Sequence, residues 1–129
     1  MKIKKSQIIG NTLSIMVCAM LGGSLRYWLS QVIPLWPMLV INLSGCLILG
    51  GLTFYWLERK PLAEWITVGL GTGLLGAFTS FSSFTLDVVK MTSPGLVWEY
   101  VLLGIGGGLL ATASGCYIGH YLGTREVRR

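Results

Sequence analysis

The sequence predicts an all-α membrane protein with four transmembrane helices, the third broken at mid-membrane. Three observations carry this. The 129-residue chain is 53% hydrophobic and 12% charged, where a soluble domain is about a quarter charged; its mean hydropathy is +0.68. Its few charges leave four uncharged stretches, Ser6–Leu25, Tyr27–Leu57, Trp65–Leu86 and Tyr100–Thr124, each able to hold a span of roughly 20 residues. The third stretch puts glycines and hydroxyls where a lipid-facing helix would carry leucine. A packed all-helical soluble protein is the competing class, but no span has the polar face it would need. The chain reads as one domain, residues 1–129, with spans near 8–28, 38–56, 65–88 and 98–122.

The N-terminus, Met1-Lys2-Ile3-Lys4-Lys5 followed by an apolar run, has the form of a signal peptide. No small-x-small cleavage site follows, and Val17 before Cys18 argues against a lipid-attachment box, so the segment reads as a retained first span. That span ends Gly22-Gly23-Ser24-Leu25-Arg26-Tyr27-Trp28. Arg26 reads either as a snorkelling cation beside aromatic anchors or as a cation at the mouth of an anion path.

Pro34 and Pro37 stop one helix and allow the next to begin. The second span has one strongly polar residue, Asn42. An intramembrane amide serves as interhelical glue or presents its NH2 donors to an anion, and both readings stand.

Leu57-Glu58-Arg59-Lys60-Pro61 leads into the third span, which contains Gly73-Leu-Leu-Gly-Ala-Phe-Thr-Ser-Phe-Ser-Ser-Phe-Thr85. Polar groups in hydrocarbon need internal partners, and broken backbone survives there only when buried in protein or lining a cavity. A helix break is therefore expected around Gly76 to Ser80, of the kind that exposes backbone groups to ions near the midplane. Beyond it, Thr79, Ser82 and Ser83 are expected on one helical face and Phe81 with Phe84 on the next. Asp87 closes the span and reads as an interfacial charge beside Lys90.

Met91-Thr92-Ser93-Pro94-Gly95 is a turn. The fourth span carries small residues at four-residue spacing, Gly107, Ala111, Gly115, Gly119 and Gly123, which permits close helix approach. Thr112 lies off that ladder, and His120 reads as an interfacial histidine. Cys18, Cys46 and Cys116 all fall within spans and behave as small apolar packers rather than a disulfide or metal framework.

The chemistry missing from the chain narrows its function. No span has a mid-membrane Asp, Glu, Lys or His of the kind a proton-coupled exporter uses. There is no nucleophile–base pair, metal-ligand cluster or phosphate loop, so an enzyme is not expected, nor is a nucleic-acid partner. What remains is neutral: hydroxyls, one amide, backbone groups and the positive rims of phenyl rings. Such donors suit passive conduction of a small anion through weak, repeated binding.

At these residues the chain resembles the Fluc/CrcB family of fluoride channels over nearly its whole length. The most specific match is Gly76-Ala77-Phe78-Thr79-Ser80-Phe81-Ser82-Ser83-Phe84, similar to the family's Gly-Gly-Phe/Leu-Thr-Thr-Phe-Ser-Thr-Phe. Val40-Ile41-Asn42-Leu43-Ser44-Gly45 resembles the family's second-span asparagine motif, and Gly22-Gly23-Ser24-Leu25-Arg26-Tyr27 its first-span end. The resemblance implies a fluoride-selective passive channel in the bacterial plasma membrane, relieving fluoride toxicity. It also implies an antiparallel dual-pore dimer with a structural sodium ion at its interface, held by backbone carbonyls of Gly76 and Thr79. Phe81 and Phe84 would line the fluoride path edge-on, with Asn42 donating to the ion and Ser82, Ser83 and Thr112 forming a polar track. Arg26 and Asp87 would stand in vestibules. The sequence departs from the family at Pro37-Met38, where a Gly-Thr pair is usual, and at Gly108, where a serine is often found.

The charges add an expectation about pairing. In a four-span topology Lys2, Lys4, Lys5, Arg59, Lys60, Arg125, Arg128 and Arg129 fall on one side, and Arg26 and Lys90 on the other. By the positive-inside rule both termini are cytoplasmic. The expected antiparallel dimer forms with itself or with an oppositely oriented paralogue; one fixed orientation argues against the first, and the resemblance, to a family that includes paired subunits of opposed orientation, implies the second. Two other functions are weighed. A small dimeric multidrug exporter would need a carboxylate in the first span, and none lies between Ser6 and Leu25. A non-transporting assembly subunit would explain the glycine ladder but not Asn42 or the hydroxyl–phenylalanine stripe.

Overall fold

The computed structural model describes residues 5–59 and 62–127. Lys2, Lys4, Lys60, Arg128 and Arg129, which contribute to the charge asymmetry, lie outside these residues. The described residues form helices without a strand. α1 (Lys5–Val32), α2 (Pro37–Glu58) and α6 (Pro94–Val127) are long, and each is apolar enough to cross a membrane. The third crossing is made in pieces: α3 (Glu64–Val68), a π-helical stretch (Gly69–Leu75), one turn of α4 (Gly76–Phe78), then α5 (Phe81–Lys90). The protein is an all-α, multi-pass membrane protein.

Exposure follows from its solvent. Large apolar side chains cover the outside, among them Met20, Leu109 and Leu110, as expected of a surface facing lipid. The interior is small: Met38 and Ile41 of α2 meet Leu75 and Phe78 from the end of the first half of the third crossing. That cluster sits directly behind the break.

Small residues decide which helices touch. α2 and α6 run parallel, with Gly115 and Gly119 facing backbone of Leu47 and Gly51, so that a Cβ at either glycine would overlap a carbonyl. Gly107 packs against Leu43 and Gly123 against Glu58, so four members of the expected ladder make this seam. α1 packs instead on the π-helical stretch. There Gly22 meets the carbonyl of Leu74, and Gly73 meets Ile15 and Cys18. The Ser14 hydroxyl adds a bond to the carbonyl of Trp65 at 2.6 Å.

The π-helical turn does not follow from the hydropathy pattern. A π turn widens the helix, and Gly69 and Gly73 within it let α1 lie against its backbone, while Gly71 faces Leu49 of α2. α2 begins at Pro37, where the missing N–H costs nothing. The residue before it, Trp36, is left-handed at φ 47. Non-glycine residues hold that conformation only where their surroundings dictate it; here the indole meets the ring of Tyr100 edge-on, centroids 5.6 Å apart.

Candidate functional site: the helix break and its aromatic groove

The break occupies Thr79 and Ser80, both extended (ψ 149 and 111). It falls within the stretch where the glycines and hydroxyls place it. Thr79 belongs to the break itself, not to the α5 face shared by Ser82 and Ser83.

Breaking a helix orphans backbone groups, which must be satisfied in a membrane. The N–H and the hydroxyl of Thr79 both donate to the carbonyl of Leu75, at 3.0 and 3.1 Å. Ser80 caps α5: its Oγ accepts from the Ser83 N–H at 3.2 Å and its hydroxyl donates to Ser83 Oγ at 2.9 Å. The Ser82 hydroxyl is 3.2 Å from Ser80 Oγ. The backbone groups of Ser80 itself are met from α2. Asn42 accepts the Ser80 N–H on Oδ1 at 2.8 Å and donates from Nδ2 to the Ser80 carbonyl at 3.2 Å. One amide side chain thus pairs with both backbone groups of one residue, as a neighbouring peptide would.

Close approach makes this possible. At Gly45, one turn along α2 from Asn42, a Cβ would overlap Thr79 Cγ2. An uninterrupted helix would send the Ser80 N–H to the carbonyl of Gly76; its diversion to Asn42 leaves that carbonyl without its helical donor.

In front of the break, α2, α5 and α6 enclose a groove of about 120 Å³ lined by Asn42, Leu43, Phe81, Phe84, Gly104 and Gly108, among others. The rings of Phe81 and Phe84 lie 6.3 Å apart at 23°. Phe84 is half-buried, whereas Phe81 is 82% exposed on this single chain. Gly104 makes room for Phe84: a Cβ there would come within 2.6 Å of its ring.

The remaining expected site residues lie around this centre. Ser82 and Ser83 form the hydroxyl cluster at the start of α5. Thr112 is exposed one turn beyond Gly108, with its hydroxyl bonded to that residue's carbonyl at 2.9 Å. Asp87, one turn past Ser83, accepts the Tyr100 hydroxyl on Oδ2 at 2.9 Å. Arg26 is half-buried on α1, which does not contribute to the groove. His120 sits where α6 and α2 end together, its Nδ1 2.8 Å from Glu58 Oε1.

Three contributors escape a reading of the residues alone. Ser80 is visible as a hydroxyl but not as the group Asn42 holds. Gly104 is one glycine in the run Gly104-Ile105-Gly106-Gly107-Gly108, with nothing to mark it as the space for a ring. Tyr100 is indistinguishable in sequence from an interfacial aromatic anchor.

Chemically, the arrangement offers neutral donors and aromatic edges beside a broken helix. Among the described residues no cluster of three His, Cys, Asp or Glu side chains could hold a metal. The groups suited to a hard cation are instead backbone carbonyls at the break, where that of Gly76 has lost its helical donor.

Comparison with known proteins gives the chain a family. Residues 13–116 match the family of CrcB-like proteins, described as Camphor Resistance (CrcB). A protein named Fluoride-specific ion channel FluC 2 from Ligilactobacillus salivarius is 38% identical over 94% of this chain and 94% of its own length. One of the same name from Streptococcus pneumoniae serotype 4 is 36% identical over 96% of this chain and 99% of its own. Fluoride-specific ion channel FluC of Azotobacter vinelandii is 37% identical over 84% and 95%. The match spans most of α1, the Asn42 motif, the break and most of α6, and the chain belongs to the CrcB-like family.

Proposed function

We propose that this chain forms a fluoride-selective passive ion channel that releases fluoride from the cytoplasm, and that it is not an enzyme. The observation that carries the reading is the groove in which Asn42, Phe81 and Phe84 converge beside the break, in a chain whose relatives are named fluoride-specific channels.

The donors match the anion. A small, strongly hydrated anion needs several weak donors in place of its water, and none strong enough to trap it. An amide carries two N–H groups; Asn42 commits one to Ser80 and keeps the other for the groove. The rims of Phe81 and Phe84 are electropositive and extend the path without a fixed charge. Ser82, Ser83 and Thr112 continue it with hydroxyls, each able to rotate from its present partner. Arg26 and Asp87 would act in the vestibules, Arg26 by drawing anions in.

Two parts of the reading concern a second subunit. Phe81, so exposed on one chain, would be covered in an antiparallel dual-pore dimer. A structural sodium ion would be held at that interface by the carbonyls of Gly76 and Thr79, supplying positive charge between the two breaks. Lys5, Arg59 and Arg125 on one side against Arg26 and Lys90 on the other favour one insertion with both termini cytoplasmic. The partner is then an oppositely oriented paralogue, not a second copy.

The test is efflux from liposomes loaded with fluoride, read with a fluoride electrode, beside matched liposomes loaded with chloride. Fluoride release with chloride retained is expected when the chain is reconstituted with its paralogue. Equal release of both anions, or of neither, would remove the assignment. Full efflux from this polypeptide purified alone would remove the requirement for a paralogue and leave the channel standing.

A further inference from the structure

Tyr100 is 0% exposed, although its neighbours Trp98 and Leu102 face outward at 68% and 66%. A buried tyrosine hydroxyl needs partners; here it donates to the carboxylate of Asp87 at 2.9 Å and faces the backbone N–H of Leu39. The ring stacks on Phe84 with centroids 4.7 Å apart and planes at 22°. On its other side Trp36 meets it edge-on at 82°, from a left-handed backbone that only a well-determined site would hold. Gly104, one turn along α6, keeps the space in which Phe84 lies over Tyr100.

The placement of α5 gives these contacts a role. α5 has 10 residues and is cut off from the rest of its crossing by the break, so tertiary anchors set its rotation. Asn42 holds its N-terminal end at Ser80, and Tyr100 holds it at Asp87. Phe81 and Phe84 lie between these two points. A small rotation of α5 would leave the break intact and swing both rings across the groove.

We propose that Tyr100 is a positioning residue for the anion path: its bond to Asp87 and its stacked ring fix the rotation of α5, and thereby the angle at which Phe84 and Phe81 present their edges. This rests on the channel reading for its consequence but not for its geometry. It also gives Asp87 a definite task, as the acceptor that locks a helix.

The variant that isolates the claim is Tyr100→Phe, which keeps the ring and removes the hydroxyl. Two readouts are taken on the reconstituted dimer: fluoride against chloride flux, and fluorine NMR of para-fluorophenylalanine placed at position 84. Y100F is expected to shift and broaden the resonance and to lower fluoride flux about tenfold to a hundredfold, the scale of losing one hydrogen bond to a charged group. Asp87→Ala should move the resonance the same way, and the double variant should move it no further, because the two residues act as one tie. Asp87→Asn keeps an acceptor oxygen and should preserve most of the wild-type line. A resonance unmoved by Y100F, effects of the two substitutions that add, or a shifted resonance with unchanged flux would each overturn the proposal. A wild-type protein that passes no fluoride sinks the channel reading instead, while the resonance still shows whether Tyr100 sets the ring.

Discussion

Asn42 and Ser80 are joined through both backbone groups of the serine, Oδ1 accepting its N–H at 2.8 Å and Nδ2 donating to its carbonyl at 3.2 Å. The pair lies 38 residues apart in sequence and satisfies both backbone groups of Ser80 at the interruption. Asn42→Ala would leave both groups without that partner inside a membrane, at a cost of about 1–3 kcal/mol. The expected result is a lower melting temperature in detergent together with loss of fluoride flux. Flux lost at unchanged stability would mean that Asn42 serves the ion and not the break.

Gly45 and Thr79 provide a test by rescue. Gly45→Ala drives its Cβ into Thr79 Cγ2, and overpacking of this kind costs about 1–3 kcal/mol. Thr79→Ser removes that methyl while keeping the carbonyl and hydroxyl. The double variant should regain most of the lost stability, measured as thermal unfolding. Stability losses that simply add would show that the contact does not govern the break.

Much of this site is legible in the residues. Glycines and hydroxyls at membrane depth locate the break, since hydrocarbon tolerates such backbone only where protein answers it. Asn42 stands out as the one amide of its span. Less legible is what each polar group is for. Donor to an ion and donor to a backbone are the same chemistry in sequence, and only the distance to Ser80 shows that Asn42 does the second. The π-helical stretch is hidden because i+3, i+4 periodicity does not report a single widened turn. Tyr100 is hidden because burial of one aromatic depends on where Phe84 and Trp36 arrive from other helices.

Gly104→Ala should displace the Phe84 ring, since the added carbon would lie 2.6 Å from it. The break, held by Asn42, should remain. Fluoride flux is expected to fall about tenfold, the order of a misplaced group in a path that relies on positioning, with dimer yield unchanged. Wild-type flux would mean that the ring's place in the groove is immaterial.

The contact between Glu58 and His120 is short but exposed, their side chains 33% and 55% accessible. Exposed pairs contribute about 0–1 kcal/mol. Glu58→Gln should therefore shift the thermal midpoint little and leave fluoride efflux at the wild-type rate. A large loss of stability would show that the shared end of α2 and α6 is more tightly coupled than its exposure indicates.

The central claim is that neutral donors beside the break pass fluoride passively and select it over chloride. Recording across a planar bilayer, with a fluoride gradient imposed against symmetrical chloride, tests it most directly. Currents that reverse at the fluoride equilibrium potential, unmoved by a superimposed pH gradient, are predicted. Reversal that follows chloride or protons would contradict the account.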